Sequence, residues 1–320
     1  MVLTTGFKKD EVFKIETISC TVPEMMIYLT NTQNQYETVY GDQIWETSLD
    51  GVTLEENVKE TVLARMAQVK SMNLLAQSKG VALDEYELAL ADQAANEYFQ
   101  SLSQSEITLM GIEHSHVRQL YEEYALALKV YEQIIRDINP EISDDEARTI
   151  TVQHILIKTY TIDGTGKKVE YSDSAKEAAY KKAQEVHGLA ISNEHDFATL
   201  ASNYSDDDTL TYSFGKGEMD ENFETAAFNL GKNEISGIVE SRNGYHIIKC
   251  MNTFNREETD NNKLKIVEQR KKEVFGLEYD AFVEGLTRKL NTEVWEQMEF
   301  VHHPEVDTTD FFDIFNKYFP

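Results

Sequence analysis

The sequence predicts an α+β protein in which a strand-bearing middle segment interrupts a helical domain assembled from both chain ends. Three observations predict it. Residues 23–140 carry apolar side chains at helical spacing behind recognisable start signals. Residues 152–158 and 244–249 are short β-branched and apolar runs that read as strands, each with one histidine near its start. After Met251 a polar run leads into a long helical pattern whose apolar stripe cannot bury itself alone, and the N-terminal helices are the partners the chain offers.

Taken in order, Thr53-Leu54-Glu55-Glu56 is a capping box, behind which Val58, Val62, Met66, Val69 and Asn73 recur at helical spacing. A second helix follows Asp84, with Tyr86, Leu88 and Leu90 leading to Tyr98, Phe99 and Leu102. A third spans 114–137, with Val117, Leu120, Tyr121, Tyr124, Leu128 and Tyr131 on its apolar side, until Asn139-Pro140 stops it. Ser143-Asp144-Asp145-Glu146 caps one more turn before the first strand. The run 255–262 reads as a linker or helix start, followed by a helix with Ile266, Val274, Leu277, Phe282, Leu286 and Leu290 apolar. In the tail, Phe311, Phe312, Phe315, Tyr318 and Phe319 fall at helical spacing among Asp307, Asp310 and Asp313. That stripe has three candidate seats: the chain's own helical domain, which the reading favours, a second copy in a homodimer, or a client groove.

With 320 residues and 41% hydrophobic content the chain has material for more than one core. No apolar run approaches the ~18 residues of a membrane span. The first ten residues lack the apolar core of a signal peptide, which leaves a cytosolic protein or one whose targeting segment lay upstream of Met1. A net charge of −27 argues against nucleic acid as partner. Residues 1–148 hold 11 basic against 26 acidic residues, so the acidity is concentrated there. Solubility explains this, and a preference for cationic or neutral clients is the functional alternative. Cys20 and Cys250 are too few for a disulfide scaffold; they could pair if the first and middle units dock, but the favoured reading is two buried free thiols. His302-His303 reads as a surface loop, and no residue set has metal-ligand spacing. No cofactor is expected, because no phosphate-cradling glycine loop follows a strand.

The middle segment carries the chemistry. It opens with Val152-Gln153-His154-Ile155-Leu156-Ile157-Lys158 and closes with Gly244-Tyr245-His246-Ile247-Ile248-Lys249. Between them lie Asp196-Phe197-Ala198-Thr199-Leu200-Ala201, Tyr204-Ser205-Asp206-Asp207, Phe214-Gly215-Lys216-Gly217-Glu218-Met219 and Phe223-Glu224-Thr225-Ala226-Ala227-Phe228. A lone strand histidine is more often core than catalyst, and Met219, Phe223 and Phe228 taken singly would be one helix face. Six ordered pieces over about 100 residues resemble a parvulin, a peptidyl-prolyl cis/trans isomerase domain. The wider layout resembles PrsA-type extracytoplasmic foldases.

The resemblance implies a small antiparallel sheet with surrounding helices over 149–253, inserted in an all-α chaperone-like lobe from 1–148 and 254–320. It implies catalytic roles for His154 and His246 as stacked central histidines, Ser241 as the hydroxyl on one ring, and Asp207 facing the substrate amide. Phe214, Met219 and Phe223 match the proline-binding cup. The family's Gly-Gly-Asp-Leu-Gly-type segment is missing: Asp208-Thr209-Leu210-Thr211-Tyr212-Ser213 alone joins Asp207 to Phe214, and Thr211 stands where a cup leucine would be. Lys158 and Lys167-Lys168 without an arginine cluster, beside an acidic turn, argue against phosphate-directed specificity. The implied function is an extracytoplasmic isomerase acting on unfolded or partly folded exported polypeptides, with chaperone activity in the helical lobe. In Gram-positive relatives a lipid anchor lies upstream; the alternative function is a holdase whose parvulin domain is weak.

Overall fold

The computed structural model describes residues 6–49, 51–192 and 194–320; residues 1–5, the first part of the opening segment read above, lie outside the described residues. The chain divides into two compact units, Met1–Asp137 with Lys272–Pro320, and Ile138–Lys271.

Helices Val22–Tyr40, Leu54–Ser78, Glu85–Ser101 and His114–Ile135 build the first unit. Their starts are written in the sequence. The Thr53 hydroxyl accepts the Glu56 N–H at 3.1 Å while the Glu56 carboxylate accepts the Thr53 N–H at 2.9 Å. Asp84 and Glu87 repeat the exchange, and each such cap contributes about 1 kcal/mol. The helix after Asp84 buries Ala91, Ala94, Ala95 and Tyr98, while Tyr86 is 72% exposed. Small residues, rather than the expected Tyr86–Leu90 run, form the face that approaches its neighbours.

The unit is helical but not purely so. Strands Glu11–Ile15, Ile18–Thr21 and Arg288–Leu290 form a three-stranded antiparallel sheet in which Phe13 lies opposite both Cys20 and Leu290. Strands this short carry no legible period, and the third pairs only because the fold brings the two chain ends together. The long helix Arg256–Glu284 also departs from expectation. Leu277 is exposed on it, Leu286 and Leu290 lie beyond its end, and in the first unit Tyr279 and Phe282 supply the contact with Leu75, Val81 and Val130.

The aromatic tail is seated in its own unit. Helix Phe311–Tyr318 buries Phe311, Ile314 and Phe315. Phe311 stacks on Tyr121 at 4.5 Å and meets Tyr98 edge-on at 5.2 Å. Polar atoms fix the seat: the Tyr121 hydroxyl donates to the Phe311 carbonyl at 2.8 Å, and the Phe311 N–H donates to Asn31 Oδ1 at 3.2 Å. Cys20 and Cys250 are both buried and free.

The second unit centres on a four-stranded antiparallel sheet in the order Thr211–Phe214, Ile150–Lys158, Gly244–Asn252, Val239–Ser241. Alternation along the two central strands sorts their side chains. Ile155, Ile157 and Ile247 pack under helices Asp173–Ile191 and Phe197–Tyr204. Ile150, Val152 and Ile248 point the other way, toward Phe214, Phe223 and Ala227, the last two on helix Glu221–Phe228. The unit is wider than 149–253 because its flanks are stitched together. The Thr149 N–H donates to Thr259 Oγ1 at 3.1 Å, the Asn255 N–H donates to the Thr149 carbonyl at 2.8 Å, and Asp144 pairs with both Arg256 and Lys263.

Removing the buried Phe311 ring leaves a cavity among Tyr28, Tyr98 and Tyr121, so Phe311→Ala is expected to destabilise the first unit by about 3–5 kcal/mol. Both tryptophans, Trp45 and Trp295, lie in this unit, so urea unfolding followed by their fluorescence reads it directly. An unchanged midpoint would mean that the tail adds nothing to this core.

Candidate active site

His154 and His246 come from the two central strands. In the antiparallel register His154 lies opposite Ile248, and His246 lies opposite Leu156, so the two are diagonal neighbours on one face. Their rings lie 5.5 Å apart with planes 18° from parallel, and Nδ1 meets Nδ1 at 3.2 Å. Both side chains are buried.

With both rings neutral, the neighbours of this pair fix where the protons sit. His154 Nε2 is 3.0 Å from the Thr209 carbonyl, which can only accept, so His154 carries its proton on Nε2. Its Nδ1 is then bare and accepts from His246 Nδ1–H. His246 Nε2 is bare in turn and accepts the Ser241 hydroxyl at 2.8 Å. Ser241 Oγ also accepts the Asn243 N–H at 3.0 Å. All four ring nitrogens are thus occupied. Burial pushes the His246 pKa down to about 4, helped by His154, and lowers that of His154 against the opposing pull of the Thr209 carbonyl and Asp207. At neutral pH both rings are therefore uncharged, which leaves His246 Nε2 bare to accept from Ser241.

Local backbone places the rest. The hairpin that brings Ser241 to His246 turns through Arg242 and Asn243 into Gly244, at φ 136°, where a Cβ would lie 2.1 Å from the Ile157 carbonyl oxygen. Only glycine permits this close approach. Ser205 and Asp206 mimic a strand beside residues 156–158: the Asp206 N–H donates to the Leu156 carbonyl at 2.7 Å, and the Lys158 N–H donates to Asp206 Oδ2 at 2.9 Å. This anchors Asp207 with Oδ2 3.4 Å from His154 Nε2. The short connection after Asp207 closes over His154, whose backbone N–H donates to the Leu210 carbonyl at 3.0 Å while its ring serves Thr209. The segment that lacks the expected glycines is what satisfies the histidine.

A cleft of about 450 Å³ opens above the pair, lined among others by His154, Asp207, Met219, Phe223, Ser241 and His246. Six of the seven expected residues therefore meet. The seventh, Phe214, does not line it: it is 1% exposed and packs behind Phe223 at 5.9 Å, so it backs the cleft wall rather than forming it. Met219 lies just before helix Glu221–Phe228 rather than in it, with its N–H and that of Gly217 both directed at the Glu224 carboxylate.

Tyr212 is a cleft residue that the sequence reading missed. Its ring is 5.2 Å from that of His154, and its hydroxyl donates to Asp207 Oδ2 at 3.1 Å. Alternation along Thr211–Phe214 was the available signal, since Tyr212 shares a face with Phe214 while Thr211 is exposed. The Thr209 carbonyl had no signal, being a backbone atom.

Residues 154–252 match the family model described as rotamase, a PPIC-type PPIase domain. Among curated proteins, the foldase protein PrsA of Clostridium acetobutylicum is 25% identical over 262 residues, covering 73% of this chain and 72% of that protein. The foldase protein PrsA 1 of Listeria innocua is 32% identical over 130 residues, 36% of this chain and 37% of that protein. A crystal structure of the peptidylprolyl isomerase PrsA from Bacillus cereus, 19% identical, aligns over 84% of this chain and 97% of its own with a TM-score of 0.40. The family match begins at His154, encloses Asp207, Met219, Phe223, Ser241 and His246, and ends one residue after Met251. This middle segment is a PPIC-type peptidyl-prolyl cis/trans isomerase domain of the parvulin class, carried in a chain similar to the PrsA foldases.

Proposed function

We propose that the cleft isomerises Xaa-Pro bonds of unfolded or partly folded exported polypeptides outside the cytoplasm, while the helical unit holds the client. The observation that carries the reading is a buried, neutral histidine pair with no ring nitrogen left over, forming the floor of a cleft walled by Met219 and Phe223. Prolyl isomerisation makes and breaks no covalent bond; its barrier of ~18–20 kcal/mol is amide resonance. Occupied imidazoles are poor nucleophiles and poor bases toward a substrate, and this reaction needs neither. The planar amide places negative charge on its oxygen and positive charge on nitrogen. Asp207, oriented by the Tyr212 hydroxyl and the Thr209 N–H, faces that oxygen in the proposed pose and disfavours the charge-separated planar form relative to the twisted one. Met219 and Phe223 grip the ring while the acyl part turns.

The extracytoplasmic setting and the chaperone role rest on the likeness to foldases, and for the second on the size of the helical unit. Susceptibility to protease added to intact cells tests the first. Suppression of client aggregation that survives His246→Ala would support the second, and its absence from both proteins would remove it.

The isomerase role is tested by NMR exchange on an Ala-Xaa-Pro-Phe peptide with the intact chain. The wild type should accelerate cis/trans exchange, and His246→Ala should lower kcat/KM by about ten-fold or more. A wild type that leaves the exchange rate unchanged would refute it.

The pH dependence follows from the lowered histidine values. The folded protein keeps His246 neutral down to about pH 4, whereas an unfolded histidine takes a proton near 6.5. Stability from this group is therefore complete above pH 6.5 and is lost as pH falls toward 4, a few kcal/mol in all. Activity should hold through pH 6 and fall with a midpoint near 4. Ring ¹⁵N shifts give the titration directly, and a midpoint near 6.5 would contradict the buried neutral pair.

A further inference from the structure

The charge of the cleft is lopsided. Asp207 stands on one wall, and Glu218, Asp220 and Glu221 line it around Met219, the residue placed to grip the proline ring, against the single guanidinium of Arg242. The groups bonded to these carboxylates do not offset the charge. Asp207 accepts from the neutral Tyr212 hydroxyl and the Thr209 N–H, and Asp220 accepts the Asn222 N–H. His154 and His246, the titratable groups on the floor, are held uncharged by burial. Four carboxylates alone would be a solvated patch; here they border the cleft that holds the histidine pair and the apolar cup, so a bound substrate cannot avoid them. Glu218 and Asp220 are the direct chain neighbours of Met219, and with Asp207 they line the same cleft as Met219 and Phe223.

We infer that this site selects Xaa-Pro segments with lysine or arginine beside the proline and rejects those with an acidic or phosphorylated residue there. The inference rests on the isomerase reading and names its substrate class. A cleft with low-dielectric walls focuses the field of its carboxylates onto whatever enters. The Debye length falls from about 30 Å at about 0.01 M to about 3 Å at about 1 M salt, so the selection must weaken as salt rises.

The test compares Ala-Lys-Pro-Phe, Ala-Ala-Pro-Phe and Ala-Glu-Pro-Phe peptides by NMR exchange with the full chain, at about 0.01 M and about 1 M salt. The expected order of kcat/KM is Lys, Ala, Glu, spread over about ten-fold at low salt and collapsing at high salt. Reversing two exposed charges, Glu218→Lys with Glu221→Lys, should flatten or invert the Lys-to-Glu ratio. The salt series on the wild type keeps the inference testable should that variant fold poorly. Turnover of the Ala peptide that depends on His246, with equal rates for Lys and Glu peptides at low salt, would overturn the charge selection alone. Absence of turnover with every peptide would overturn the isomerase reading and this inference with it.

Discussion

The hydrogen bond between His154 Nδ1 and His246 Nδ1 is the constraint on which the site depends. The bond needs one bare and one protonated Nδ1, and with both rings kept neutral by burial the pair holds complementary tautomers with an acceptor at one end and a donor at the other. The Thr209 carbonyl and the Ser241 hydroxyl supply those ends. Each demand reaches back into the fold. The rings meet because the central strands hold a register that sets the histidines diagonally on one face. Ser241 arrives because Gly244 lets the hairpin pass close to the Ile157 carbonyl. Thr209 arrives because the connection after Asp207 is short enough to fold directly over the ring.

Much of this was legible in the residues. The paired histidines, Ser241, Asp207, Met219 and Phe223 were placed by ordered motifs, and the structure brings them to one cleft. Helix starts at Thr53 and Asp84 were legible because caps are local chemistry. What escaped was non-local or belonged to the backbone. Phe214 and Phe223 are equally apolar, and only the packing of one behind the other decides which lines the cleft. Tyr212 was hidden because attention to the missing glycines obscured the alternation of its own strand. The sheet of the first unit could not be seen, since its third strand exists only through pairing with residues near the other end of the chain.

Charge and chemistry divide the labour in the cleft. The histidines carry none of the charge and all of the geometric order, while the carboxylates carry the charge and stand mostly at its edge. Tyr212 couples the two, touching the floor through its ring and the wall through its hydroxyl. A site of this kind presents no reactive nucleophile to a bound polypeptide, which suits an isomerase that must release its substrate covalently unaltered.

The first unit draws its sheet and its aromatic core from both ends of the sequence, while the isomerase unit is one continuous segment. That asymmetry imposes an order on biosynthesis. As the chain emerges amino end first, the whole of 138–271 is available before Arg288–Leu290 can complete the sheet or Phe311 can enter between Tyr98 and Tyr121. The nascent protein thus has a complete isomerase while its helical unit still lacks the residues that close its core.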